Sequence, residues 1–116
     1  MARDGLPLRD GERLIFSVRA NRAQSNRAVG GRLYATNRRI VFAPHGVDLT
    51  AGLAPWELDV ASLREISIAP RGRNPFDGSL RRRLEIKSNR GADVFVVPKV
   101  GRVAERLDEI RREGHT

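Results

Sequence analysis

The stretch Gly30-Gly31-Arg32-Leu33-Tyr34-Ala35-Thr36-Asn37-Arg38-Arg39-Ile40-Val41-Phe42 decides how this chain folds. Two short runs with strand-like alternation flank a polar Thr36-Asn37-Arg38-Arg39 reversal. Leu33 and Ala35 share one face of the first run; Ile40 and Phe42 share one face of the second. Side chains alternate across a strand, so each run can bury one face and leave the other to solvent. Asparagine suits a tight reversal, because it tolerates left-handed backbone angles and bonds its own main chain. The segment reads as a β-hairpin with one buried side. Tyr34 falls on the face opposite Leu33 and is expected to be partly exposed.

The same alternation recurs on both sides of this hairpin. Residues 1–11, broken by Gly5, Pro7 and Gly11, read as a flexible leader. Leu14, Phe16 and Val18 predict a first strand near 13–19, and polar Ala20 to Ala28 reads as a loop. The hairpin strands fall near 29–36 and 39–44 and end at Pro44-His45-Gly46. Trp56, Leu58 and Val60 predict a fourth strand, Ser62-Leu63-Arg64 a turn, and Ile66 and Ile68 a fifth strand over 65–69. Pro70 to Ser79 is a second long loop, rich in Arg, Gly and Pro. Leu84 and Ile86 mark a sixth strand, Asn89-Arg90-Gly91 a turn, and Val94 to Val97 a seventh, more fully apolar strand.

After Pro98 the period changes. Val100, Val103, Leu107 and Ile110 recur at spacings of three and four, the signature of one face of an α-helix, predicted over about 99–113. Gly114 is a suitable stop, and Asp108 stands four residues before Arg112, a helical ion-pair spacing. Such a helix must bury its stripe, and a curved antiparallel sheet offers the place.

The hairpin motif resembles the central hairpin of GRAM domains, small members of the pleckstrin-homology superfold. Those domains carry a similar pattern of small residues, Leu-aromatic, Thr-Asn-Arg-Arg and Leu/Ile-x-Phe. The resemblance covers roughly residues 10 to 113. It implies a mostly β fold with one C-terminal helix: a seven-stranded antiparallel barrel, or orthogonal sandwich, capped by the helix. The domain would span residues 12–113, as a single-domain bacterial member. The resemblance points to a binding module rather than an enzyme. In lipid-binding relatives the loop between strands one and two usually takes the phosphoinositide headgroup.

Size and composition agree with a single domain, since 116 residues hold one core. The longest apolar runs fall far short of the ~20 residues that span a bilayer. The charged start Met1-Ala2-Arg3-Asp4-Gly5 predicts no secretory signal, and a cytoplasmic location, peripheral at the inner membrane face, is the expectation. The chain has no cysteine, which removes disulfides, thiolate catalysis and cysteine metal sites together. Its net charge of +8 suits a polyanionic partner: a phospholipid surface, nucleic acid or an acidic protein.

Few residues offer chemistry. His45 sits in a Pro-His-Gly turn, and the other histidine, His115, is penultimate. No serine stands on a strand-to-helix elbow, and Gly30-Gly31 opens a strand rather than a helix, so its expected role is freedom at a bulge or sheet corner. Catalytic residues, metal and cofactor are therefore all expected to be none.

The candidate ligand-binding residues are arginines of the two long loops. Arg19, Arg22 and Arg27 surround the first. Arg71, Arg73, Arg81, Arg82 and Arg83 bracket Phe76 in the second. Arg81 and Arg83 should share the outer face of strand six, with Arg82 at the rim. An aromatic among guanidinium groups suits a membrane interface, with the ring at the acyl boundary and the arginines on anionic headgroups. It also suits single-stranded nucleic acid, or Phe76 can fold back over an open barrel end. Trp56, alternating with Leu58 and Val60, reads as core. The leading function is a peripheral adaptor that contacts anionic lipid or a partner protein. The alternatives are strand-edge peptide binding without lipid, and then nucleic-acid binding.

Overall fold

The computed structural model describes residues 6–24, 27–46, 56–70 and 82–114. Seven antiparallel strands follow in chain order: β1 Leu14–Gln24, β2 Arg27–Thr36, β3 Arg39–Pro44, β4 Trp56–Asp59, β5 Leu63–Ala69, β6 Arg83–Ser88 and β7 Gly91–Val96. One helix, α1, spans Val100–Gly114. The strand order is β4-β3-β2-β1-β7-β6-β5. β4 and β5 therefore form the two edges, although only a short 3-10 helix, Val60–Ser62, separates them in sequence. That connection forces the sheet to curl until its edges approach. α1 packs against β5, β6 and the 3-10 helix. The result is the mostly β, helix-capped architecture that the alternation and the terminal stripe imply.

The core lies inside the curl. Phe42, Trp56 and Phe95, from three strands, meet with ring centroids 5.6 Å apart for Phe42–Phe95 and 5.2 Å for Trp56–Phe95. Tilted and edge-on geometries of this kind favour aromatic pairs beyond area burial alone. From the helix, Val100, Val103, Ala104, Leu107 and Ile110 are buried, so the predicted stripe gains Ala104. Lys99 opens the helix from a left-handed conformation, φ +50°. Its carbonyl accepts from the amides of Arg102 and Val103. Arg106 then holds the helix to β1: its guanidinium lies 4.5 Å from the Phe16 ring centroid, and Nη2 donates to the Ile15 carbonyl.

Several sequence expectations need correction. β1 does not stop near 19 but runs to Gln24, and β2 begins at Arg27, so Ala20 to Ala28 is not a loop. Cross-strand pairing continues unbroken from Phe16↔Ala35 to Gln24↔Arg27. The segment looked like a loop because no large apolar side chain alternates along it: its inner positions on β1 are Ala20 and Arg22, its outer ones Asn21 and Ala23. Ser62-Leu63-Arg64 is not one turn, since Leu63 already belongs to β5, beyond a bulge before Glu65. Along β7, only Phe95 is fully buried, with half-exposed Val94 and Val96 on the opposite face. Gly30-Gly31 marks neither a bulge nor a corner. Both pair regularly within β2, and a Cβ on Gly31 would stand 2.2 Å from the Ala43 carbonyl oxygen. Glycine permits the close approach of two backbones here.

Tyr34 is buried rather than partly exposed, in a second small cluster with Val41 and Ala43 on the outer sheet face. Leu6 packs against that cluster. Next to it, the Thr36-Asn37-Arg38-Arg39 reversal holds the chain around residues 7–13. Thr36 Oγ1 accepts from the Arg38 and Arg39 amides and donates to Glu12 Oε2 at 2.8 Å. Asn37 Oδ1 accepts from the Arg13 amide at 2.6 Å, and its Nδ2 donates to the Gly11 carbonyl. Arg39 Nε donates to Glu12 Oε2, Nη1 to Glu57 Oε1 and Nη2 to the Pro7 carbonyl. Burial pushes the Glu12 carboxyl up, but hydrogen bonds from Arg39, the Arg9 amide and Thr36 outweigh it and hold the pKa down to about 2. The same contact with Glu12 raises Arg39, against the opposing effect of its burial.

Candidate anion-binding site

The extended β1–β2 hairpin changes what the first arginine cluster can do. Arg19 and Arg22 lie on a strand, three residues apart, and therefore on opposite faces. Arg22 pairs in register with Phe95, whose side chain is in the core, so it points into the mouth of the sheet. There Nη2 binds Asp93 Oδ1 at 3.0 Å, and the guanidinium carbon sits 5.7 Å from the Trp56 ring centroid. Its charge is matched and its plane occupied. Trp56 is buried, as its alternation indicates.

Arg19 points outward and lies directly opposite Arg32 on β2. Both are exposed. Arg32 Nε donates to Ser17 Oγ at 3.0 Å, and neither guanidinium has a carboxylate partner among the described residues. Like charges directly opposite each other in a sheet are destabilising.

Beside this pair the outer face is concave. A cavity of about 280 Å³ is lined by Arg19, Asn21, Gly31, His45, Val96 and Pro98, among others. It forms where β7 leaves β1 after only two paired positions, Asn21↔Val96 and Arg22↔Phe95. Gly30 lies under Asn21 and His45: a Cβ placed there would be 3.1 Å from Asn21 Oδ1 and 3.6 Å from His45 Nε2. The His45 amide donates to the Gly30 carbonyl at 3.1 Å, which fixes where the imidazole starts.

In the second cluster, Arg82 is exposed just before β6. Arg83 is half-buried on the face opposite Leu84 and Ile86, and its Nη2 donates to the Pro70 carbonyl. Arg71, Arg73, Phe76 and Arg81 lie outside the described residues, as does the side chain of Arg27, a residue that pairs with Gln24 at the hairpin end. Among the described residues no group of three His, Asp or Glu side chains is placed to hold a metal ion. Among those residues no helix is long and apolar enough to cross a membrane.

Arg32, Asn21 and His45 escaped the sequence reading. One signal could have found the first two: a two-residue connection between Gln24 and Arg27 places Arg19 opposite Arg32 and Asn21 opposite Gly30. His45 joins them only through β2–β3 register.

No protein-family model matches the chain, and no curated protein does. Solved structures do. The C-terminal domain of an unknown protein from Leishmania infantum superimposes with a TM-score of 0.65 and 13% identity, covering 88% of this chain and 86% of that one. The Vps36 N-terminal PH domain matches with a TM-score of 0.62 and 15% identity, over 92% and 84% of the two chains. The hSac2 domain of the human phosphoinositide phosphatase Sac2 gives 0.59 and 16%, over 94% and 76%. At such identities the likeness concerns the fold, which is PH-like.

Proposed function

We propose that this domain is a non-catalytic, GRAM-type binding module that docks peripherally on anionic membrane lipid. One observation carries the reading: Arg19 and Arg32 face each other across β1–β2, exposed and without a carboxylate partner among the described residues. A pair that repels itself is stabilised by an anion from outside. The net charge of +8 draws the domain toward such a surface. Arg82 and the 71–81 segment, with Phe76, extend the contact in this proposal. Strand-edge peptide binding has less support, since the Arg90 guanidinium already occupies the Glu57 carbonyl of edge strand β4.

Vesicle sedimentation tests this. The domain should pellet with phosphatidylserine-containing vesicles at low salt and be released as ionic strength rises. A basic side chain near an anionic bilayer contributes about 1 kcal/mol. Arg19→Gln with Arg32→Gln should therefore weaken binding by roughly 30-fold. A wild-type domain that ignores these vesicles at low salt would refute the membrane reading and put a partner protein first.

A further inference from the structure

Resting on the membrane-docking reading, we infer that Leu8 and Leu14 are the apolar anchor that seats this domain on an anionic bilayer. The segment before β1 is the rigid mount that carries them. Among the described residues these two are the exposed large hydrophobic side chains, 48% and 41% accessible. One exposed leucine on a surface needs no explanation; two that share a face with unmatched cations point to a partner.

Pairing puts Leu14 on that face. It stands across from Thr36, and Thr36, Tyr34 and Arg32 alternate along one side of β2. Arg19 lies opposite Arg32, so the leucine and both arginines belong to the outer face of one hairpin, with Leu14 and Arg19 about 16 Å apart along β1. Leu8 joins them from the segment that crosses the same side. The Pro7 carbonyl accepts from Arg39 Nη2, and Arg9 Nη2 binds Glu57 Oε2. Glu57 stands across from Val41 of the outer cluster, so both flanks of Leu8 are tied to the outer face. Side chains held this firmly lose little freedom on insertion, which lowers the entropic cost of docking.

The charges around the leucines select the partner. Arg13 adjoins Leu14, and Arg38 Nη2 lies over Gly11, where a Cβ would stand 3.0 Å from it. Both arginines are exposed and have no carboxylate partner among the described residues. Leucine beside arginine suits a bilayer interface, with aliphatic ends at the acyl boundary and guanidinium groups among anionic headgroups. A tilt of β1 lowers its leucine end while Arg19 and Arg32 stay at headgroup level.

The chain has no cysteine, so a single introduced cysteine reports one position. Leu8→Cys, Leu14→Cys, Glu65→Cys and Ser79→Cys, each carrying a nitrobenzoxadiazole label, are mixed at low salt with vesicles of phosphatidylserine and phosphatidylcholine. Labels at 8 and 14 should shift to the blue and be quenched by shallow spin-labelled lipid. The label at 65, exposed on edge strand β5, should not respond. Leu8→Gln with Leu14→Gln should weaken vesicle sedimentation roughly tenfold. Its salt dependence should not change, since no charge is lost. Thermal melts should match wild type, because both side chains are exposed. Vesicle binding with unshifted labels at 8 and 14, or undiminished binding of the Gln pair, would overturn the anchor and leave membrane docking intact. A blue shift confined to 79 would overturn it too and move the apolar contact to the 71–81 segment. A wild-type domain that does not sediment with these vesicles would refute membrane docking and the anchor together.

Discussion

Arg39 Nε donates to Glu12 Oε2 at 2.7 Å, with both side chains almost wholly withdrawn from solvent. This bond joins the turn-bearing hairpin to the segment that precedes β1, across 27 positions of sequence. Glu57 takes the next guanidinium nitrogen at 3.0 Å and also holds Arg9 at 3.1 Å, so β4 enters the same network. A shielded ion pair owes its place to the number of hydrogen bonds that satisfy it, because removing either ion from water is costly. Here Thr36 and the Arg9 amide complete the carboxylate. The Thr-Asn-Arg-Arg motif, read as a turn, thus also anchors the neighbouring chain.

Acid should weaken the domain through Glu12. Its folded pKa of about 2 lies below the ordinary 4.5, so the stabilisation is fully present above pH 4.5 and is lost as pH falls toward 2. A depression of this size corresponds to a contribution on the order of 3 kcal/mol at neutral pH. Urea melts at a series of pH values should show this loss in wild type and a much flatter profile in Glu12→Gln. Equal acid sensitivity in both would refute the assignment.

Arg39→Ala should be worse than Glu12→Gln. It leaves a buried carboxylate without its cation, an arrangement that typically costs about 3–5 kcal/mol. Chemical denaturation at pH 7 measures the difference, and a loss below about 1 kcal/mol would show that the network is dispensable.

The helix should prove indispensable. Leu107 is fully buried on the face of α1 toward the sheet. Leu107→Asp places a charge there and should unfold the domain, while Leu107→Ala should cost about 2–5 kcal/mol. Wild-type thermal stability in the Asp variant would mean that the helix is not docked.

Two glycines should respond in opposite directions. Gly31→Ala drives a methyl into the Ala43 and Pro44 backbone and should destabilise by more than about 1 kcal/mol. Gly101→Ala adds its methyl to open space in a helix and should stabilise by roughly 0.5–1 kcal/mol. Thermal melts of the pair give the signs directly.

Phe76→Ala should weaken vesicle binding with little change in salt dependence, because a ring supplies apolar contact. Changing Arg71, Arg73, Arg82 and Arg83 together to Gln should remove most of the binding and flatten its salt dependence. Vesicle sedimentation across a salt series separates the two effects. A salt slope unchanged by the quadruple variant would exclude this segment from the contact.

What the sequence determines here is local. Alternation at Leu33, Ala35, Ile40 and Phe42 sets a hairpin, and spacing at Val100, Val103, Leu107 and Ile110 sets a helix, because strand and helix periods are properties of neighbouring residues. From those, the mostly β, helix-capped class follows. What only the tertiary structure decided is pairing. Whether an arginine is spent or available depends on which residue stands across from it. Arg22 meets Asp93, 71 positions away, and Arg19 meets Arg32, yet the sequence presents both as members of one basic segment. Glu12 and Arg39 likewise look like ordinary charged residues until the fold withdraws them from water together. Periodicity tells which way a side chain faces, whereas register and chain closure tell what it faces.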